Sequence, residues 1–330
     1  MTAWLYGMTN RQQVNPSAVH FVCRNGGWMV GKQIWQIIQR IGITLLLLLV
    51  ASQMTFHLWE NGWCIYLDSK LIEEEAFRSM DFGKGGLGML AELAEEQDCT
   101  LSETAAVWMI RYGYHLPSEM VLRKNAAKWP LWRQEMRMAS KREFYQITRA
   151  YEAVLIGITC FPVGKAEGLT NVGYEDSWLD GRDYGGERQH EGCDIMSGQA
   201  PAFQYENGIY PPGLYPVVSV TDGTVEKMGW LPLGGWRIGI RSSAGGYFYY
   251  AHLHDYAPDL QEGSPVKAGQ LLGWMGDSGY GEEGTTGQFP VHLHFGIYLQ
   301  TDHFEELAVN PYWILRYLQE RQEPEMLLEW

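Results

Sequence analysis

The chain has 330 residues with 25 basic and 39 acidic side chains, a formal net charge of −14, and a composition that is 46% hydrophobic and 19% charged. So acidic a balance argues against nucleic-acid binding, where phosphate contacts need a basic surface. The composition is that of a folded chain, and the 38 glycines and 14 prolines follow no collagen period, so disorder and fibre are excluded.

The charge is unevenly placed. Residues 1–59 contain Arg11, Arg24, Lys32 and Arg40 and no Asp or Glu, so this head is +4 and the remainder −18. Residues 41–59 carry no formal charge and include five consecutive leucines, Leu45 to Leu49. As a helix this stretch would reach roughly 28 Å, close to a ~30 Å hydrocarbon core. The sequence therefore predicts a transmembrane anchor at 41–59. The basic head, residues 1–40, is expected inside and everything from Glu60 outside, because Lys and Arg accumulate on the cytoplasmic side. A cleaved signal peptide ending near Ala51 is the competing reading and would make the chain secreted. Residues 1–28 read as an over-extended start if translation begins at Met29. On this topology Cys23 lies inside, while Cys64, Cys99, Cys160 and Cys193 lie outside; a Cys160–Cys193 bridge and buried thiols are both open.

Residues 60–158 read as a helical spacer domain. Thr100-Leu-Ser-Glu103 has the form of a capping box and Gly113 that of a helix stop. Phe144, Ile147, Tyr151 and Leu155 recur at helical spacing. No chemistry is assigned to this region. From residue 159 to 311 the texture changes to short β-rich runs punctuated by Gly, Pro and Asp, and an antiparallel all-β domain is expected, giving an α+β chain overall. Asp222-Gly223 reads as a hairpin turn after the run 215–221. Asn310-Pro311 opens a closing helix in a C-terminal segment, 312–330.

Five of the nine histidines fall between His190 and His294. In a strand, His292 and His294 project from one face while Leu293 and Phe295 point to the other. His190 and Asp194 frame Gly192, which favours a loop over a helix. Imidazoles plus one carboxylate suit zinc, whose catalytic sites use three protein ligands and keep a fourth position for water. The helical His-Glu-X-X-His site is absent because the fifth position is Asp194, and no Cys-X-X-Cys pair occurs.

The ordered set of His190-X-X-X-Asp194, Tyr250-Ala-His-Leu253, the run 263–273, Gly276-Asp-Ser-Gly279, His292-Leu-His-Phe295 and Val309-Asn-Pro311 resembles the lysostaphin-type (LytM-like) zinc metallopeptidases, bacterial peptidoglycan endopeptidases. The likeness spans about residues 161–311. It implies a small antiparallel fold of the duplicated-hybrid-motif kind, with His190, Asp194 and His294 as zinc ligands and His252 and His292 as catalytic histidines. The implied activity is hydrolysis of amide bonds in peptidoglycan cross-link peptides through a zinc-activated water. Cys193, His254, Gly296 and the long loop 279–290 depart from the family pattern. The alternative is a non-hydrolysing peptidoglycan-binding or partner-docking module on the same fold. A D-alanyl-D-alanine carboxypeptidase is disfavoured because Phe289-Pro-Val precedes His292 where that class places a glutamate base.

Overall fold

The computed structural model describes residues 16–60, 69–165, 168–182, 188–198 and 210–322. Cys64, the start of the expected spacer and the tail from 323 lie outside the described residues, as do the side chains of His20, Cys23 and His57. The chain divides into two units, 1–65 and 66–330.

In the first unit a single helix, α1 (Pro16–Glu60), contains the stretch Lys32–Met54, whose mean hydropathy is 1.9. By length and composition it is long and apolar enough to cross a membrane. Its apolar side chains are not core: Leu45 to Leu49 are all about 60% exposed around the helix, where a buried helix would hide them.

The second unit holds the remaining helices and the sheet together. A 3-10 turn at Ser69–Glu73 leads to α2 (Glu75–Arg78), α3 (Gly86–Glu96), α4 (Leu101–Arg111), α5 (Glu119–Asn125), α6 (Trp129–Ala139) and α7 (Lys141–Leu155). The Thr100 hydroxyl accepts the Glu103 N–H at 3.2 Å and so caps α4. The reciprocal half of the expected capping box is not made. The Glu103 carboxylate instead takes a two-pronged bond from Arg133, 2.8 and 2.7 Å, and one from Arg137 at 2.8 Å, because the charge-assisted fork is stronger than a bond to a backbone N–H. At the other end Gly113 adopts φ +64° and Tyr114 N–H returns to Met109 C=O at 2.7 Å, a Schellman stop. Trp108 is fully buried and meets Trp132 edge-on at 5.2 Å, while Tyr151 of α7 packs on Phe77 and Phe82.

The strands are β1 (Gly181–Arg182), β2 (Arg188–Gln189), β3 (Cys193–Met196), β4 (Pro216–Val218), β5 (Gly223–Leu231), β6 (Gly235–Ser242), β7 (Tyr247–Tyr256), β8 (Pro265–Val266), β9 (Leu271–Met275), β10 (His292–Leu299) and β11 (Leu307–Val309), before α8 (Tyr312–Arg321). The main sheet runs β11-β10-β7-β6-β5-β8, with β3 paired to β10 and β9 paired to both β4 and β7; these pairings are antiparallel, and β1–β2 forms a separate ribbon. The α7 helix packs against β10 and α2 against β11, so the helical segment lies on the sheet within one unit.

The hairpin expected at Asp222-Gly223 does not form: β4 pairs with β9, and β5 with β6 and β8. The Asp222 carboxylate explains the change, accepting from Lys267 Nζ at 2.7 Å and Ala268 N–H at 2.9 Å. It thus ties its turn to the β8–β9 connection rather than closing a two-strand ribbon. Cys99, Cys160 and Cys193 are free thiols, so the Cys160–Cys193 bridge is not made. Thr100→Ala should cost about 1 kcal/mol of unfolding free energy, read as a lower urea midpoint at unchanged m-value.

Candidate metal centre

The site is built on the central strand β10. Leu293 and Phe295 point into the core and are fully buried, with Phe295 edge-on to Tyr250 at 5.3 Å. The alternation that buries them sends His292 and His294 to the opposite face. The β3–β10 register sets His294 directly opposite Asp194, and His190 enters from the loop just ahead of β3.

Three atoms converge there. His190 Nε2 lies 3.0 Å from Asp194 Oδ1 and 3.0 Å from His294 Nδ1, and His294 Nδ1 is 3.0 Å from Asp194 Oδ1. His190 Nδ1 faces the Ser177 carbonyl at 3.2 Å and the Ser177 hydroxyl at 3.0 Å. A carbonyl only accepts, so Nδ1 holds the hydrogen and Nε2 presents a lone pair to the centre. A lone pair and a carboxylate oxygen facing one another call for a cation between them. Ligands ~2.0–2.1 Å from a tetrahedral zinc sit roughly 3.3 Å apart, close to the spacing found. His190, Asp194 and His294 therefore fit a zinc ion by donor type and by mutual distance.

The surroundings hold these donors in place. Arg182 Nη2 donates to Asp194 Oδ2 at 2.9 Å, leaving Oδ1 for the centre. Gly192 leaves room for the His294 ring: a Cβ there would fall 2.5 Å from His294 Cε1 and 2.9 Å from the Phe295 carbonyl. Cys193, which departs from the family pattern, points into the core with Ile195, and burial pushes its thiol up, away from thiolate.

His252 and His292 stand beside this triangle, their ring centroids 4.7 Å apart. Their Nδ1 atoms meet the carbonyls of Ser278 and Pro290, both at 2.8 Å. By the same reasoning each keeps its hydrogen on Nδ1 and leaves Nε2 as an acceptor; His292 Nε2 lies 3.7 Å from Asp194 Oδ1. His252 has φ +63°, a left-handed backbone rare for histidine. It sits in a bulge, since β7 places two residues, 251 and 252, where β6 places one. Ser278 locks the bulge by donating from Oγ to Leu253 C=O at 2.7 Å and accepting Trp236 N–H at 3.0 Å. Gly279, at φ +130°, lets the chain pass: a Cβ there would lie 2.4 Å from the Leu233 carbonyl. Phe289, from the long 279–290 loop, packs edge-on against both histidines at 4.6 and 5.0 Å. Burial, reinforced by the imidazoles of His292 and His294, pushes His252 down to about 3; burial also lowers His292.

The five sequence-predicted residues thus line one cleft of about 490 Å³ that also contains Arg182, Arg188, Tyr249 and Tyr298. His254 is exposed outside it, His115 pairs with Asp81, and His303 with Glu73. Ser177, Arg182, Ser278 and the Pro290 carbonyl were not anticipated. Only Ser278 had a signal, its place in Gly276-Asp-Ser-Gly279; the others act through fold-dependent proximity.

In metal-free protein, unfolded His252 takes a proton below about 6.5, whereas the folded residue does so only near 3. Unfolding therefore gains protons in that window, so stability should fall as pH drops from 6.5 and be retained above it. His252→Asn, compatible with the left-handed backbone, should flatten the calorimetric Tm-against-pH slope there. Gly192→Ala should displace His294, costing about 1–3 kcal/mol and lowering the zinc content measured by atomic absorption.

The sequence profile described as Peptidase family M23 matches residues 207–311, so His190 and Asp194 lie before the matched segment. An L-Ala–D-Glu endopeptidase of Bacillus subtilis (strain 168) is 34% identical over 226 residues, 68% of this chain and 62% of that protein. Lysostaphin of Staphylococcus simulans is 35% identical over 82 residues, 24% of this chain and 15% of that protein. The chain therefore spans less than two thirds of the length of these curated relatives. A crystal structure from Ruminococcus gnavus, titled as a candidate glycyl-glycine endopeptidase lytM, superposes with a TM-score of 0.60 at 40% identity, covering 76% of this chain and 93% of that one. Peptidases of the M23 family are zinc-dependent, in keeping with the donor triangle. On these likenesses, the chain belongs to peptidase family M23.

Proposed function

We propose that this protein is a membrane-anchored zinc endopeptidase that hydrolyses an amide bond in peptidoglycan peptides outside the membrane, with His190, Asp194 and His294 as metal ligands and His252 and His292 as catalytic residues. The observation behind this reading is the convergence of three metal-ligating atom types, His190 Nε2, Asp194 Oδ1 and His294 Nδ1, at 3.0 Å from one another next to two buried histidines whose Nε2 atoms are acceptors. Anchoring through α1, with the basic head inside, is supported by the exposed apolar stretch Lys32–Met54.

Zinc bound here supplies Lewis acidity, polarising the scissile carbonyl and making water more acidic. The protein groups do the rest. His252 and His292 stay neutral at neutral pH because burial disfavours their charged forms. Either Nε2 can accept a proton from water and return it to the leaving amine. A protonated Nε2 can also donate to the developing oxyanion. Phe289 covers both rings and limits access of bulk water.

Among wall peptides, a bond flanked by a carboxylate suits this cleft better than a glycyl-glycine bridge. Arg188 lies on its wall, and the Bacillus relative, whose alignment reaches into the helical segment, is named for an L-Ala–D-Glu bond. Arginine is the side chain best matched to a carboxylate.

His252→Asn should lower kcat on a stem peptide by about 10²- to 10⁴-fold while zinc content is retained. The unmodified protein should release L-alanine from an L-Ala–D-Glu stem peptide and leave pentaglycine intact in mass-spectrometric product analysis. Binding of stem peptide without cleavage by zinc-loaded protein would instead establish the non-hydrolysing module.

A further inference from the structure

One side chain of the helical segment reaches the residues that adjoin His190 and Ser177. Arg78, the last residue of α2, donates from Nε to the Ala308 carbonyl of β11 at 2.9 Å and from Nη2 to Glu191 Oε1. Its guanidinium lies over the Trp178 ring, 5.4 Å from the centroid. Its own carbonyl accepts Asn310 N–H at 2.8 Å.

Two of these contacts bear on one ligand. Glu191 adjoins His190 in sequence, and its carbonyl is also within reach of the Tyr298 hydroxyl, at 3.4 Å. Trp178 adjoins Ser177, the residue whose carbonyl and hydroxyl face His190 Nδ1 and set its tautomer. The Ser177 loop is fixed again through Asp176, whose Oδ1 accepts from Trp178 N–H at 3.3 Å and from Asn310 Nδ2 at 3.1 Å. The chain following His190 and the loop that orients its ring thus meet at a single guanidinium. The same group binds the strand that flanks β10.

We infer that Arg78 is a positioning residue for the zinc ligand His190, so that the helical segment is a working part of the peptidase site. The inference rests on the metal site proposed above. Its physical basis is the shape of the group. A planar fork donates in two directions while its face covers an indole, and a lysine ammonium cannot satisfy all three contacts at once. An ion pair with Glu191 46% exposed adds little stability by itself; its value is in fixing where His190 stands.

The test is zinc affinity, measured by chelator competition on the full chain purified in detergent, together with the calorimetric Tm of metal-free protein. Arg78→Gln and Glu191→Gln should each weaken zinc binding by about 10- to 100-fold, the usual range for groups that orient a ligand. The double variant should lose no more than the weaker-binding single one, since both act through one contact. Arg78→Lys should recover only part of the loss, and Arg123→Ala, in the exposed cluster with Glu119 and Glu92, should match the unmodified chain. A purely structural role would lower the metal-free Tm and leave zinc affinity intact. If Arg78→Gln does not fold, Glu191→Gln decides, because that side chain is half-exposed. Equal zinc affinity in the unmodified chain and in the Arg78 and Glu191 variants overturns this inference alone. Absence of stoichiometric zinc in the unmodified chain overturns the metal-site reading, and this inference with it.

Discussion

The structure depends on one pairing, the antiparallel register of β3 with β10. It sets Asp194 opposite His294 and Cys193 opposite Phe295, so one set of side chains faces the cleft while its neighbours enter the core. A slip of one residue would turn the carboxylate inward and the thiol outward. Fully buried Ile195, Leu293 and Phe295 resist that slip. Burial of apolar side chains on one face of the strand is therefore what brings the candidate metal-ligating groups together on the other.

Once the donors are placed, backbone carbonyls decide their chemistry. Ser177, Ser278 and Pro290 each present a C=O to an Nδ1, so three imidazoles from three regions share one tautomer and direct Nε2 inward. A left-handed backbone at His252 is the conformational cost of one of these arrangements. The bulge that accommodates it, locked by Ser278, keeps that ring at its angle. Burial then holds His252 neutral over the range in which an ordinary histidine titrates.

The helical segment and the sheet form one unit. Its packing on β10 and β11 comes from the apolar faces of α7 and α2, and the polar contacts of Arg78 follow from that packing. The acidic surplus lies wholly after residue 59, whereas the head is basic. The cleft arginines Arg182 and Arg188 are local exceptions within this acidic segment.

Much of the candidate site was legible in the sequence. Two-residue spacing put His292 and His294 on one face without knowledge of the partner strand, and the ordered motifs identified the family likeness. The long apolar run, the helical periodicity ending in α7, and the Thr100 and Gly113 helix boundaries are local properties that neighbouring residues suffice to set. Tertiary structure decided the rest, because it depends on which distant segments meet. Asp222 ties its turn to the β8–β9 connection instead of closing a hairpin. Glu103 leaves its own helix start for Arg133 and Arg137. Arg182 takes one oxygen of Asp194 and frees the other, and Arg78 reaches Glu191 across 113 residues of chain. These are long-range electrostatic and packing choices, made only after the apolar faces have brought the strands and helices together.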